Sequence, residues 1–155
     1  MVVSPDPPAI PPELQVNGTP ILQVHASGVQ IYVLVQNPDG SEKWNLKAPE
    51  ATFNGGGKQG RHYAGPTWEC TTDGSKVVGR KLAEHAFGSS AVRWLLLEAK
   101  SHDGNGILTA VTFIQRIDTV GGSPPPTTGA KPGDEVRVPY SADYEFYGAG
   151  ATTRP

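Results

Sequence analysis

The chain has 155 residues, which is enough for one domain that buries roughly two thirds of the surface its unfolded chain exposes. Its formal net charge of −2 and its 13 scattered basic residues give no basis for binding nucleic acid or an anionic membrane. Apolar runs stay shorter than the ~18 residues of a membrane-spanning helix, and the single cysteine, Cys70, excludes an intrachain disulfide. We therefore predict neither a nucleic-acid partner nor a membrane span.

The first 20 residues contain six prolines and few large apolar side chains. This composition predicts an extended N-terminal arm that lies on the surface or is disordered. The opening residues also lack the basic segment followed by an apolar segment that is typical of a signal peptide. We predict a single β domain over residues 21–148 and a flexible tail over 149–155.

Short apolar runs bounded by turn residues fill the predicted domain, and this pattern indicates β-strands. Residues 92–100 also contain good helix formers, but a run of this length before a turn cluster suits a buried strand better. The stretch 121–133 is rich in glycine and proline and is predicted to be a loop. The predicted class is all-β, either an antiparallel β-sandwich or a small β-barrel with long Pro/Gly-rich loops. The predicted strands are 29–36, 44–48, 67–71, 76–82, 91–100, 107–118, 135–139 and 142–147.

Successive residues of a strand point to opposite faces of the sheet, so the sequence also predicts which side chains are buried. In strand 67–71, Trp68 and Cys70 share the face assigned to the core, whereas Glu69 points outward. In strand 142–147, Tyr144 shares the buried face with Phe146. Prolines and glycines flank this last strand, and we predict that it lies at a sheet edge.

The glycine-rich stretch 60–80 holds the residue types best suited to a functional site. We select His62, Tyr63, Glu69 and Asp73 as a ligand-binding set, because polar and aromatic groups crowded into loops suit a small or carbohydrate-like ligand. His62 could instead act with a carboxylate as an acid, base or metal ligand, or simply hydrogen-bond the backbone of a loop. The spacing matches no metal-ligand rule, so no metal and no cofactor are predicted, and no catalytic residue is assigned.

Arg116 is a charge near the end of an otherwise apolar strand. Such a residue lies at the rim of the sheet or pairs with an acid. Glu69, Asp118 and Asp143 are the candidate partners, and an ion pair that locks two strands is the favoured role. Anchoring of a ligand is the alternative, so Arg116 joins the candidate binding residues.

Several motifs are spread over residues 28–147. They are Gly28-Val-Gln-Ile-Tyr32, Trp44, Ala48-Pro-Glu-Ala51, Gly60-Arg-His-Tyr-Ala-Gly-Pro-Thr-Trp-Glu69, Asp73-Gly-Ser75, Trp94-Leu-Leu-Leu97, Ile114-Gln-Arg116, Thr119-Val-Gly-Gly122 and Pro139-Tyr-Ser-Ala-Asp-Tyr144. Together these motifs resemble the domain of unknown function family 3455. This resemblance implies a secreted bacterial or fungal protein, normally made with a signal peptide, and it implies no activity.

Three functions remain open at this point. The first is a secreted β-domain that binds a small or carbohydrate-like ligand near residues 60–76. The second is a hydrolase or metal-assisted enzyme that uses His62 with Glu69 or Asp73. The third is a structural surface or spore-associated protein in which these polar residues only tie loops together. A β-domain hosts all three, so the fold alone does not choose among them.

Overall fold

Eight antiparallel strands close into a barrel in the computed structural model, which describes residues 10–153. Each barrel strand pairs with the next along the chain, and the last pairs with the first. The predicted all-β antiparallel class is confirmed, and the strand pairing is that of a small barrel. The barrel strands are β2 (Pro20–Gln36), β3 (Glu42–Gly55), β4 (Lys58–Tyr63), β5 (Thr67–Cys70), β6 (Lys76–His85), β7 (Trp94–Asp103), β8 (Phe113–Gly121) and β9 (Glu135–Tyr147).

Four short elements of the described residues lie outside the barrel wall. The strands β1 (Val16–Asn17) and β10 (Thr152–Thr153) pair with each other, so part of the segment predicted as a flexible tail forms a strand. One 3₁₀ turn, Pro12–Leu14, belongs to the N-terminal arm, and a second, Ile107–Ala110, precedes β8. The arm prediction for residues 1–9 lies outside the described residues. No helix within residues 10–153 is long and apolar enough to cross a membrane.

Burial in the strands alternates, as expected when one face of the barrel sheet is exposed to solvent and the other is buried. In β2 the even-numbered residues from Leu22 to Leu34 face the interior, while odd-numbered ones such as Gln23 and His25 are exposed. In β5 the inward pair is Trp68 and Cys70, as the sequence predicts.

The sheet differs from the sequence prediction at β4, at β9 and at residues 107–110, which were predicted to be strand and form a 3₁₀ turn. β4 is a strand that the polar run Lys58–Tyr63 did not indicate, since its alternation has only Gly60 and His62 on the buried face. The edge position predicted for residues 142–147 is wrong, because they belong to β9, which lies between β8 and β2. Closure of the barrel removes the sheet edges, and flanking prolines and glycines cannot reveal closure.

One end of the barrel is filled with apolar side chains. The 3₁₀ turn Ile107–Ala110 lies across this end, which we call the closed end. Leu108 within the turn and Val111 directly after it are fully buried. The opposite end, where β4 meets β5 and β6 leads to β7, is called the open end. The side chains that fill the closed end are Leu22, Val24, Phe53, Cys70, Val77, Leu108, Val111, Ile114 and Phe146.

A second, smaller core lies on the outer surface of the barrel. Leu14 of the N-terminal arm is fully buried against Trp94, Leu96 and Ile117. The arm is also held by a hydrogen bond of 2.7 Å from Gln115 Nε2 to the Leu14 carbonyl oxygen. Residues 10–17 therefore cover the outer face of β7 and β8.

Candidate functional site

Strand alternation separates the residues that the sequence analysis grouped together. His62 pairs with Trp68 across β4 and β5, so both side chains enter the barrel. Their rings stack with centroids 4.4 Å apart and planes 19° apart. Tyr63 and Glu69 lie at the alternate positions and face outward. The predicted set is thus divided between the two faces of the sheet.

His62 is buried and its protonation is defined by its surroundings. Its Nδ1 lies 2.9 Å from the Thr67 carbonyl oxygen. A carbonyl only accepts, so Nδ1 carries the proton and donates it. Burial lowers the pKa of His62 to about 3, although the Thr67 hydrogen bond opposes this shift. The neutral ring therefore keeps a lone pair on Nε2, which has no hydrogen-bond donor within the described chain.

Tyr63 and Glu69 form a surface network with Arg61. The Tyr63 hydroxyl donates to Glu69 Oε1 at 2.8 Å, and Arg61 Nη2 donates to the same oxygen at 3.1 Å. The hydrogen bond from Tyr63 is the main reason that the pKa of Glu69 is lowered, and the charge of Arg61 adds to it. These contacts join β4 to β5 on the outside of the barrel.

Asp73 lies in the β5–β6 turn at the closed end, away from His62. Its Oδ1 accepts from the backbone N–H and the hydroxyl of Ser75, at 2.9 and 2.6 Å, and its Oδ2 accepts from Ile107 N–H at 2.9 Å. Burial opposes ionisation, but these hydrogen bonds outweigh it and lower the pKa of Asp73. Asp73 thereby fastens the turn to the 3₁₀ turn that covers the closed end.

Arg116 faces the interior at the open end, beside Leu95 and Tyr144 in the strand register. Its Nε and Nη2 donate to the Arg93 carbonyl oxygen at 2.9 and 2.8 Å. The predicted ion pair is wrong, because no carboxylate of residues 10–153 lies within ion-pair distance of this guanidinium. The proposed partners Asp118 and Asp143 are on the outer face, where Asp143 binds His25.

A cavity of about 330 Å³ occupies the open end of the barrel, and we call it the inner chamber. It continues into a more open outer groove of about 550 Å³, with which it shares Gln30, Leu46 and Arg116. Segments around 86–93 and 123–124 line the outer groove. The inner chamber is lined by Gln30, Leu46, Lys47, Ala48, Pro49, His62, Ala64, Gly65, Pro66, Trp68, Lys81, Leu95, Leu97, Arg116 and Tyr144.

Two residues that line the inner chamber each have a buried polar atom without a hydrogen-bond partner among the described residues. Gln30 Oε1 has no donor and Trp68 Nε1 has no acceptor, and each residue is 1% exposed. The large majority of buried side-chain polar atoms in folded proteins are hydrogen-bonded, so two exceptions beside one cavity require a cause. Gln30 was not selected from the sequence, although a signal was present, because it is a polar residue at one of the inward-facing positions of β2.

The inner chamber is electropositive. Its charged lining residues are Arg116, Lys47 and Lys81, and none of its lining residues is acidic. Both lysines have acidic partners, since Lys47 binds Glu135 at 2.6 Å and Lys81 binds Glu84 at 3.1 Å. Arg116 thus supplies the uncompensated positive charge.

The family model of a protein of unknown function, DUF3455, matches residues 54–148, which is more than half of the chain. The chain belongs to the DUF3455 family. The family resemblance stated from the sequence is confirmed. The DUF3455 match covers β4 to β9 and includes His62, Trp68 and Arg116, whereas Gln30 lies before it. No curated protein and no solved structure matches the chain.

The DUF3455 match covers only part of the barrel. It begins at residue 54, so β2 and nearly all of β3 precede it. The barrel closes only through β2, which pairs with both β3 and β9. The inner chamber is therefore formed jointly by the matched region and by strands that precede it.

Proposed function

We propose that this DUF3455 protein binds a small molecule in the inner chamber at the open end of its barrel. The observation that carries the proposal is that two residues lining one cavity, Gln30 and Trp68, each have a buried polar atom without a partner among the described residues. The proposal keeps the small-molecule binding predicted from the sequence. It moves the site from the surface near residues 60–76 to the barrel interior.

The free-energy cost of leaving these two atoms without hydrogen bonds favours a bound ligand. Each buried polar group without a hydrogen bond costs about 1–3 kcal/mol. A ligand that offers one donor and one acceptor to the inner chamber recovers both costs. The same barrel fills its closed end with Phe146, Leu108 and other apolar side chains, so the fold itself does not require a cavity. A volume of about 330 Å³ is within the range of small-molecule sites.

The hydrolase alternative finds no support in the geometry. His62 Nε2 belongs to the interior, Glu69 is engaged by Tyr63 and Arg61 outside, and Asp73 lies at the closed end. Three separated groups cannot act on one substrate, since acid and base must both reach the reacting atoms. The structural alternative accounts for Glu69 and Asp73, which tie elements together, but leaves the unpartnered atoms of the inner chamber unexplained.

A fragment screen with one chamber-filling variant tests the proposal. Leu95 lines the inner chamber and packs against the core, so L95W places a bulky ring in it. Leu82 on β6 is 44% exposed, and L82W makes the same substitution away from the cavity. We expect ligand-observed NMR with a mixed library of acidic, basic and uncharged fragments to give binders that L95W loses and L82W keeps. Absence of binders, or equal binding to both variants, would refute the proposal.

A further inference from the structure

We infer that the inner chamber selects a small organic anion, in which a carboxylate binds Arg116 and a hydroxyl group on an apolar body donates its proton to Gln30. This inference rests on the proposed function, since it names the chemical class of the ligand of that same site. It follows from the charge, the hydrogen-bonding atoms and the walls of the inner chamber.

The guanidinium of Arg116 is oriented and has free donors. Nε and Nη2 both donate to the Arg93 carbonyl oxygen, so one edge of the planar group is fixed. The Tyr144 hydroxyl is a further hydrogen-bond partner of Arg116, which leaves two N–H groups for a ligand. A guanidinium binds a carboxylate through two hydrogen bonds. The fixed edge pre-organises the guanidinium, which reduces the entropy lost on binding.

The charge of Arg116 acts within the interior and is not neutralised by an acid. Burial raises the pKa of Tyr32, Tyr140 and Tyr144, and the nearby positive charge of Arg116 opposes that rise in each. Lys47 and Lys81 already have acidic partners, and no lining residue of the inner chamber is acidic. One uncompensated positive charge calls for a ligand with one negative charge.

The uncharged atoms define the rest of the ligand. Gln30 Oε1 and His62 Nε2 are both acceptors without a donor among the described residues. A hydroxyl group has one proton to donate, and we assign it to Gln30 Oε1. Trp68 Nε1 is a donor and requires an acceptor, which the carboxylate or the hydroxyl oxygen supplies. Leu95, Leu97 and the neighbouring prolines form apolar walls that suit an apolar body.

Acid and amide pairs of equal shape test the inference. The probes are 4-hydroxybenzoate and 4-hydroxyphenylacetate, the amide of each, and benzoate, titrated by calorimetry into the full chain. We expect each acid to bind the wild type at least about tenfold more tightly than its amide, because a charged bidentate pair replaces neutral hydrogen bonds. Benzoate should bind more weakly than 4-hydroxybenzoate, because it offers no donor to Gln30.

Variants of Arg116 identify the source of the preference. R116Q should abolish the preference for the acid over the amide, and R116K should keep part of it. R137Q is the matched control, since Arg137 lies on the outer face in a pair with Glu50, and its preference should equal that of the wild type. Circular dichroism and thermal unfolding establish that each variant is folded, and R116K keeps the test valid if R116Q does not fold.

Failure of this inference can be distinguished from failure of the proposed function. Equal affinity for acid and amide in the wild type, or no binding of either pair, would overturn the anion inference. So would a preference that persists in R116Q. The proposed function would still rest on the fragment screen, which contains uncharged and basic molecules and uses Leu95 rather than Arg116.

Discussion

Acidification should destabilise this protein through His62, because the folded state holds that ring neutral. An unperturbed histidine has a pKa of about 6.5, and burial lowers the pKa of His62 to about 3. Above about pH 6.5 neither state binds a proton at this site, so His62 does not change the stability there. Between about pH 6.5 and 3 the unfolded state binds the proton and the folded state does not. Stability is therefore lost as the pH falls, by up to about 1.4 kcal/mol per pH unit.

The expected loss between about pH 7.5 and 4.5 is about 2–3 kcal/mol of unfolding free energy, and any folded pKa below about 4 gives nearly the same value. Urea denaturation followed by tryptophan fluorescence measures it. H62N keeps a donor near the Thr67 carbonyl but does not titrate, so its stability should lack this component. H25N, an exposed histidine variant that retains His62, should keep it. An equal loss in H62N and the wild type would refute the reasoning.

Three further predictions concern stability and use the same denaturation at neutral pH. D73A should lower the free energy of unfolding by about 2 kcal/mol or more, because three hydrogen bonds to a partly buried carboxylate are lost. D39A removes the matching hydrogen bonds of an exposed hairpin turn and should lower it much less. L14A should lower the free energy of unfolding by about 2–5 kcal/mol, because Leu14 is fully buried. A loss below about 1 kcal/mol would contradict the packing of the N-terminal arm against the barrel. G60A should lower the free energy of unfolding by about 3 kcal/mol or more, because the added methyl group would lie 2.2 Å from both the Phe53 ring and the Glu69 backbone oxygen. F53L should relieve only the clash with the ring.

The sequence predicted the fold class because strand signals are local. Alternating side chains correctly placed Trp68 and Cys70 inside and Glu69 outside. β4 was missed because an inward glycine and histidine do not form an apolar alternation. Closure of the barrel was not predictable, since it depends on pairing of β9 with β2, whose residues are more than 100 positions apart.

The candidate site was predictable only in part. His62 and Arg116 do line the cavity, but the sequence grouped His62 with Glu69 and Asp73 because they are neighbours in the chain. Side chains of consecutive residues in β4 and β5 point to opposite faces of the sheet, and the β5–β6 turn places Asp73 at the opposite end of the barrel. Gln30 lies near His62 only because the barrel closes. The secreted location implied by the family resemblance stays a prediction.

The indole N–H resonance of Trp68 tests the central claim most directly, because Trp68 lines the inner chamber and its indole N–H has no acceptor among the described residues. The chain has three tryptophans, and W68F assigns the resonance in a ¹H–¹⁵N spectrum. We predict that a fragment identified in the screen moves this proton downfield as it gains a hydrogen bond, while the other two indole resonances stay in place. Saturating binding that leaves the Trp68 resonance unmoved would contradict the claim that the inner chamber is the binding site.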